Sequence, residues 1–171
     1  LMLDTCQYIP VNRVNGRVSS GTLQWIEEQL VYAEENGIEV LPVGHHNLLL
    51  ESRMYTFDCT MENYEEIIRL FETYQLPIYI SGHLHAQRVK TYQEEPGSDM
   101  SIPRVSEIVL TPYSIPECRY GLLQWDEMER ITFRTKAVSV SRWAARQGLA
   151  DENLLRFDEL APGWTKDMIK S

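Results

Sequence analysis

The sequence predicts a mixed α/β chain of the α+β kind: a parallel βαβ unit, then antiparallel strands, then short C-terminal helices. Apolar residues recur at helical spacing in two segments, and each segment runs into a short β-rich stretch that closes on a glycine. Such alternation favours parallel strands joined by right-handed crossovers. Beyond Val89 the helical period gives way to short strand-like runs separated by turn residues.

Leu1-Met2-Leu3-Asp4 reads as the inside of a strand, and the chain starts at Leu1 rather than at a methionine, so it is expected to be the distal part of a larger domain. Residues 20–36 place Leu23, Ile26, Leu30 and Ala33 on one helical face, with Ser20 as N-cap and Gly37 as the stop. Residues 38–43 read as a strand ending at Gly44, where Pro42, lacking an amide proton, makes the pairing imperfect. The next helix, 62–74, stacks Tyr64, Ile67, Ile68 and Phe71 on one face. A second strand, 76–82, closes on Gly82. Residues 91–99 are a polar, turn-rich loop. Runs 107–111, 120–124 and 131–140 read as antiparallel strands, the last two joined by a turn at Asp126-Glu127. From Ser141 onward, Trp143, Ala144, Ala145, Leu154, Leu155 and Phe157 suggest one or two short helices. Trp25, Ile67, Phe71, Ile78 and Ile80 follow the apolar period and are expected in the core.

At 171 residues and 19.9 kDa the chain is long enough for one domain, 1–171, with a histidine-bearing part (1–90) and a tail of strands and helices (91–171). Hydrophobic residues at 43% against 24% charged set it apart from disordered chains. Sixteen basic against 25 acidic side chains leave a net charge of −9, which repels a phosphate backbone and argues against docking on nucleic acid. No apolar run approaches the roughly 18 residues of a membrane span. Cys6, Cys59 and Cys118 are too few and too far apart for a disulfide framework; they read as thiols in a reducing compartment, which makes the cytoplasm the expected location.

All four histidines fall in two clusters, His45-His46 and His83-Leu84-His85, each directly after the glycine that ends a predicted strand. In an open sheet, sites assemble at the carboxyl ends of parallel strands, where the loops leave a crevice. Two neighbouring strands would bring both clusters to one rim. Imidazole nitrogen suits zinc, iron and manganese, and an HxH turn can aim its two rings at different ions. His45, His83 and His85 are therefore the expected metal ligands. His46 and Asn47 are expected to line the pocket, with Gly44 and Gly82 letting the backbone approach a bound ion or phosphate. A lone histidine at a strand end is more often a hydrogen-bonded structural residue; four of four in two such places is what favours metal. Asp4, Glu51, Asp58 and Glu62 lie near the strand ends in sequence, but loop carboxylates are ordinarily solvated. No catalytic residue is assigned within the chain.

Gly44-His45-His46-Asn47-Leu48-Leu49 and Ser81-Gly82-His83-Leu84-His85, with a helix between them, resemble the last two metal motifs of the calcineurin-like metallophosphoesterases. Residues 21–30 resemble the helix before those motifs and Leu3-Asp4-Thr5 the strand preceding it, so the likeness covers residues 1–87. Thr111-Pro112-Tyr113-Ser114-Ile115-Pro116 is similar to the region after the last motif and reads as a rigid turn beside the site. The resemblance implies part of an αββα sandwich, with two divalent ions (Mn, Fe or Zn) clamping an in-line phosphoryl displacement. It implies that His45 and His83 hold one ion with an Asn and a bridging Asp, and that His85 holds the other. Asn47 stands where Pro is commoner in that family, and Asn47→Pro is expected to leave the metal in place. The family's Asp-x-His, Gly-Asp-x-x-Asp and Gly-Asn-His motifs do not occur in these residues, so the chain is similar to the C-terminal half of such an enzyme. Phosphoester hydrolysis is expected of the complete protein, and inactivity of this chain alone.

Two other functions compete. A missing half would leave apolar surface and an open strand edge, which suits a non-catalytic module that binds metal or a partner: that half, another chain, or a second copy in a homodimer. The other is a mononuclear zinc site of three histidines and a water.

Overall fold

The computed structural model describes residues 1–50, 59–92, 104–112, 118–126 and 130–170. These form two compact units, Leu1–Leu110 and Thr111–Ser171, built from small sheets and short helices in an α+β arrangement. Glu51, Asp58, the 93–99 stretch of the polar loop, residues 113–116 and Glu127 lie outside the described residues.

In the first unit, α1 spans Ser20–Glu35. Its N-cap is Ser19, one residue ahead of the predicted Ser20, and the Ser19 hydroxyl oxygen accepts the Thr22 N–H at 3.1 Å. At the other end Gly37 turns left-handed at φ 63°, and the amides of Gly37 and Ile38 reach back to the carbonyls of Glu34 and Ala33 at 3.3 and 2.9 Å. Ile26, Leu30 and Ala33 are buried. Trp25 is not a core residue: it is 43% exposed, because it stands about 100° round the helix from Ile26. Helix α2, Tyr64–Thr73, is shorter than predicted and buries Ile67, Ile68 and Phe71. Its N-cap residue, Asn63, directs its side chain to Val18, accepting the N–H at 3.1 Å and donating to the carbonyl at 2.9 Å.

Strands β1 (Ile78–Ser81), β2 (Arg88–Thr91) and β3 (Ser106–Val109) form a sheet in the order β1-β3-β2, with β1 parallel and β2 antiparallel to β3. The run expected to pair antiparallel from residue 107 therefore pairs in parallel with β1, Ile78 opposite Ser106 through Ser81 opposite Val109. The reason is β2, which doubles back and leaves β3 to enter between it and β1. Sequence reasoning does not find β2, since two cations in four residues weaken its β signal. The predicted strand at 38–43 also shrinks: only Val43 forms bridges, parallel to Met2 on one side and to Ile80 on the other. Leu3 N–H donates to Val43 O and Val43 N–H to Leu1 O, both at 2.8 Å. Gly44 N–H donates to Ile80 O at 3.0 Å, and Ile80 N–H to Pro42 O at 3.1 Å. Pro42 accepts but cannot donate, which limits the ladder to this short stretch. The parallel sheet thus continues from β1 through residues 42–44 to residues 1–3, with the carboxyl ends at one rim. Leu3, Val18, Leu30, Leu48, Met61, Phe71 and Tyr79 belong to one apolar cluster that ties the helices to this sheet.

In the second unit, β4 (Arg119–Trp125) and β5 (Ile131–Ala137) pair antiparallel from Arg119 opposite Ala137 to Trp125 opposite Ile131. Asp126 closes the hairpin, accepting the Arg130 N–H at 3.0 Å and its Nε–H at 2.7 Å. Strand β5 stops short of the predicted residue 140 because Ser139 caps a helix, its hydroxyl oxygen accepting the Arg142 N–H at 3.1 Å. Three helices follow in place of one or two: α3 (Val140–Arg146), α4 (Glu152–Leu155) and α5 (Phe157–Lys170). Among the described residues no helix is long and apolar enough to cross a membrane.

Candidate functional site

Both histidine clusters leave the same rim, because Val43 and Ile80 are parallel neighbours. Gly82 N–H donates to His45 O at 3.0 Å, joining the two turns through the backbone. Above that bond His45 Nε2 and His83 Nδ1 lie 2.9 Å apart, with the rings nearly perpendicular at 81°. Such a contact needs one N–H and one lone pair. Burial first, and then the nearby His83 and His85, pull the His45 imidazole below its usual value of 6.5. Both causes favour the neutral form, the one in which imidazole binds a cation.

The His46 ring also packs beside His83, centroids 4.6 Å apart, but its nitrogens are bonded elsewhere. It is 3% exposed, its Nδ1 lies 2.7 Å from Thr5 Oγ1, and its Nε2 lies 2.9 Å from the Val14 carbonyl oxygen. A carbonyl only accepts, so Nε2 carries the proton and the Thr5 hydroxyl donates to Nδ1. Thr5 Oγ1 in turn accepts the His46 N–H at 3.3 Å. Burial, then His83, lower the His46 imidazole against the opposing pull of the Val14 carbonyl. Both ring nitrogens are committed within the protein.

The glycines answer to neighbours the sequence does not reveal. A Cβ on Gly44 would stand 2.2 Å from the Tyr79 hydroxyl oxygen, which donates to His46 O at 2.9 Å. A Cβ on Gly16 would stand 2.4 Å from the His46 ring. Gly82 is less confined, its nearest neighbour being His45 Nδ1 at 3.9 Å. The unusual backbone is carried by histidines: His83 and His85 both have φ 56°. Histidine enters this left-handed region more readily than most residues, at a cost of order 1 kcal/mol or more. His85 is exposed and acts electrostatically on His45.

Asn47 is buried. Its N–H donates to Cys59 O at 2.9 Å, a bond that Asn47→Pro would abolish. Its Nδ2 reaches Ser81 Oγ at 2.9 Å, Gly82 O at 3.3 Å and Glu107 Oε1 at 3.2 Å, while its Oδ1 is buried with no hydrogen-bond partner among the described residues.

Sequence reasoning missed Glu107, reading it only as the start of a strand. Glu107 is 0% exposed. Its Oε1 accepts the Leu48 N–H at 2.8 Å, the Ser81 hydroxyl and Asn47 Nδ2; its Oε2 accepts the Leu49 N–H at 2.8 Å. Lys90 stands opposite it on β2. Burial chiefly lowers the Arg88 guanidinium and Lys90 ammonium, and Glu107 counters this. The signal in the sequence is an acid directly before the apolar run Ile108-Val109-Leu110. The other carboxylates have different partners. Asp4 accepts the Cys6 N–H at 3.0 Å, and Glu62 pairs with Arg13 and Arg17 at 3.8 and 3.4 Å.

These residues fit a cation in part. Two imidazole nitrogens already meet, but a tetrahedral ion with bonds of about 2.0–2.1 Å separates its ligand nitrogens by about 3.4 Å, so the pair must open by about 0.5 Å. Among the described residues no group of three or more His, Cys, Asp or Glu side chains is arranged to hold a metal ion. No family model matches the sequence, and no curated protein matches it.

Proposed function

We propose that His45 and His83 hold a divalent cation for phosphoester hydrolysis, in a calcineurin-like metallophosphoesterase of the sandwich type to which this chain gives the C-terminal ligands. His85 serves a second ion, and residues outside this chain complete both. The observation that carries the reading is the 2.9 Å contact between His45 Nε2 and His83 Nδ1 across two parallel segment ends. When bound, divalent cations supply positive charge to the phosphoryl oxygens and acidify a water. The chain's own part is to present imidazole nitrogens on a rim fixed from below by Thr5, His46 and Tyr79.

Metal content after equilibration with Zn²⁺ or Mn²⁺ and dialysis tests the assignment. Even with its coordination incomplete, the wild-type chain is expected to take up more of the ion than His83→Ala, which is expected to bind at least about tenfold more weakly. Equal retention by His83→Ala removes His83 from the ligand set. A second reading, a partner-binding module, draws on the exposed apolar residues Met2 and Ile9, 73% and 89% exposed. It predicts self-association or a stable complex without any dependence on the cation.

A further inference from the structure

Glu107 is a buried carboxylate that the proposed chemistry does not use. Its partners come from two different places. Leu48, Leu49 and Asn47 belong to the loop that carries His45, whereas Ser81 ends β1, two residues before His83. Each of the four donates, and a carboxylate is an acceptor on both oxygens, so the set is chemically matched. Asn47 closes the circuit, because its Nδ2 also bonds Ser81 Oγ and Gly82 O, the residues on which the His83 turn begins.

We infer that Glu107 is a positioning residue that clamps the His45 loop to the His83 turn, and that the 2.9 Å contact between the two imidazoles depends on it. The turn has little preference of its own for this shape, since His83 and His85 both sit at φ 56°. Backbone in that region persists only where its surroundings over-determine it, and the clamp, which grips Ser81 and Gly82 at the start of the turn, is part of that surrounding. Resting on the cation reading above, this role makes Glu107 the residue that sets the spacing of the two ligands without touching the ion.

Glu107→Gln is nearly isosteric but replaces one acceptor oxygen with an NH2 group. That group faces a donor already in place, so at least one of the four bonds is lost. The test is ¹⁵N NMR of the cation-free full chain. In Glu107→Gln the His45 and His83 ring-nitrogen resonances are expected to shift and their mutual hydrogen bond to vanish. Amide exchange at Leu48 and Leu49 is expected to rise by about tenfold or more, while Ile26 and Leu30 in α1 keep wild-type protection. Ser81→Ala removes a single donor and is expected to give a smaller change of the same kind, so it carries the test should Glu107→Gln fail to fold. Unchanged imidazole resonances in the folded Glu107→Gln chain, or in Ser81→Ala if that variant alone folds, overturn the clamp. A parallel Zn²⁺ titration of the wild-type chain separates the two claims. Failure of the wild type to bind sinks the cation reading, while the cation-free resonances still decide the clamp.

Discussion

An alanine at Gly16 would press its Cβ to 2.4 Å from the His46 ring, which is itself fixed at both nitrogens by Thr5 and Val14. The ring has no direction in which to give, so Gly16→Ala is expected to destabilise the first unit by about 1–3 kcal/mol. Gly21→Ala, where nothing lies within 4 Å of the added carbon in α1, is the control and is expected to be neutral or stabilising. Urea midpoints of the two variants, followed by the amide resonances of Ile26 and Leu30, check both. At this scale the sequence tells which residue types stand at the rim but not what each nitrogen does. His45 and His46 are adjacent and look equivalent. They differ because His46 meets Thr5 and Val14, 41 and 32 residues away, which no local pattern encodes. Glu107 escaped notice for the same reason, as its donors lie in segments 26 to 60 residues distant.

Helices α3 and α5 are joined through Asp158, whose carboxylate accepts the Ser139 hydroxyl and the Val140 and Ser141 amides, the last two at 3.0 and 3.4 Å. The Ser139 hydroxyl above all, with those amides and against slight burial, holds the Asp158 carboxyl below its ordinary 3.8. A carboxyl depressed on folding contributes stability that is complete above its unfolded value and is lost as pH falls through the lowered folded one. Wild-type helical circular dichroism is therefore expected to fall as acid is added below pH 3.8, and Asp158→Asn to remove that part of the acid response. An identical acid profile in the variant contradicts the linkage. Among the elements, those with an internal period were legible: α1 and α2 follow from apolar residues at 3.6-residue spacing, and α1 also has caps near its ends. Strand β2 and the reduced stretch around Val43 were not, since a four-residue strand or a single bridge is defined by its partners rather than by its own composition.

Across the molecule, the alternation of helix and strand favoured parallel strands and made the meeting of His45 and His83 conditional on their being neighbours, a condition met where Val43 bridges Ile80. It could not place β3 between β1 and β2, because that order depends on which edge accepts a returning strand, a choice made by contacts remote in sequence. The account therefore stands or falls on whether the two imidazoles share an ion at this rim. Anomalous diffraction from crystals grown with Zn²⁺ tests this directly. The predicted result is a zinc peak about 2.0–2.1 Å from both His45 Nε2 and His83 Nδ1, with the nitrogens parted to about 3.4 Å. The contrary result is a 2.9 Å imidazole pair that persists in saturating zinc with no anomalous density between the rings.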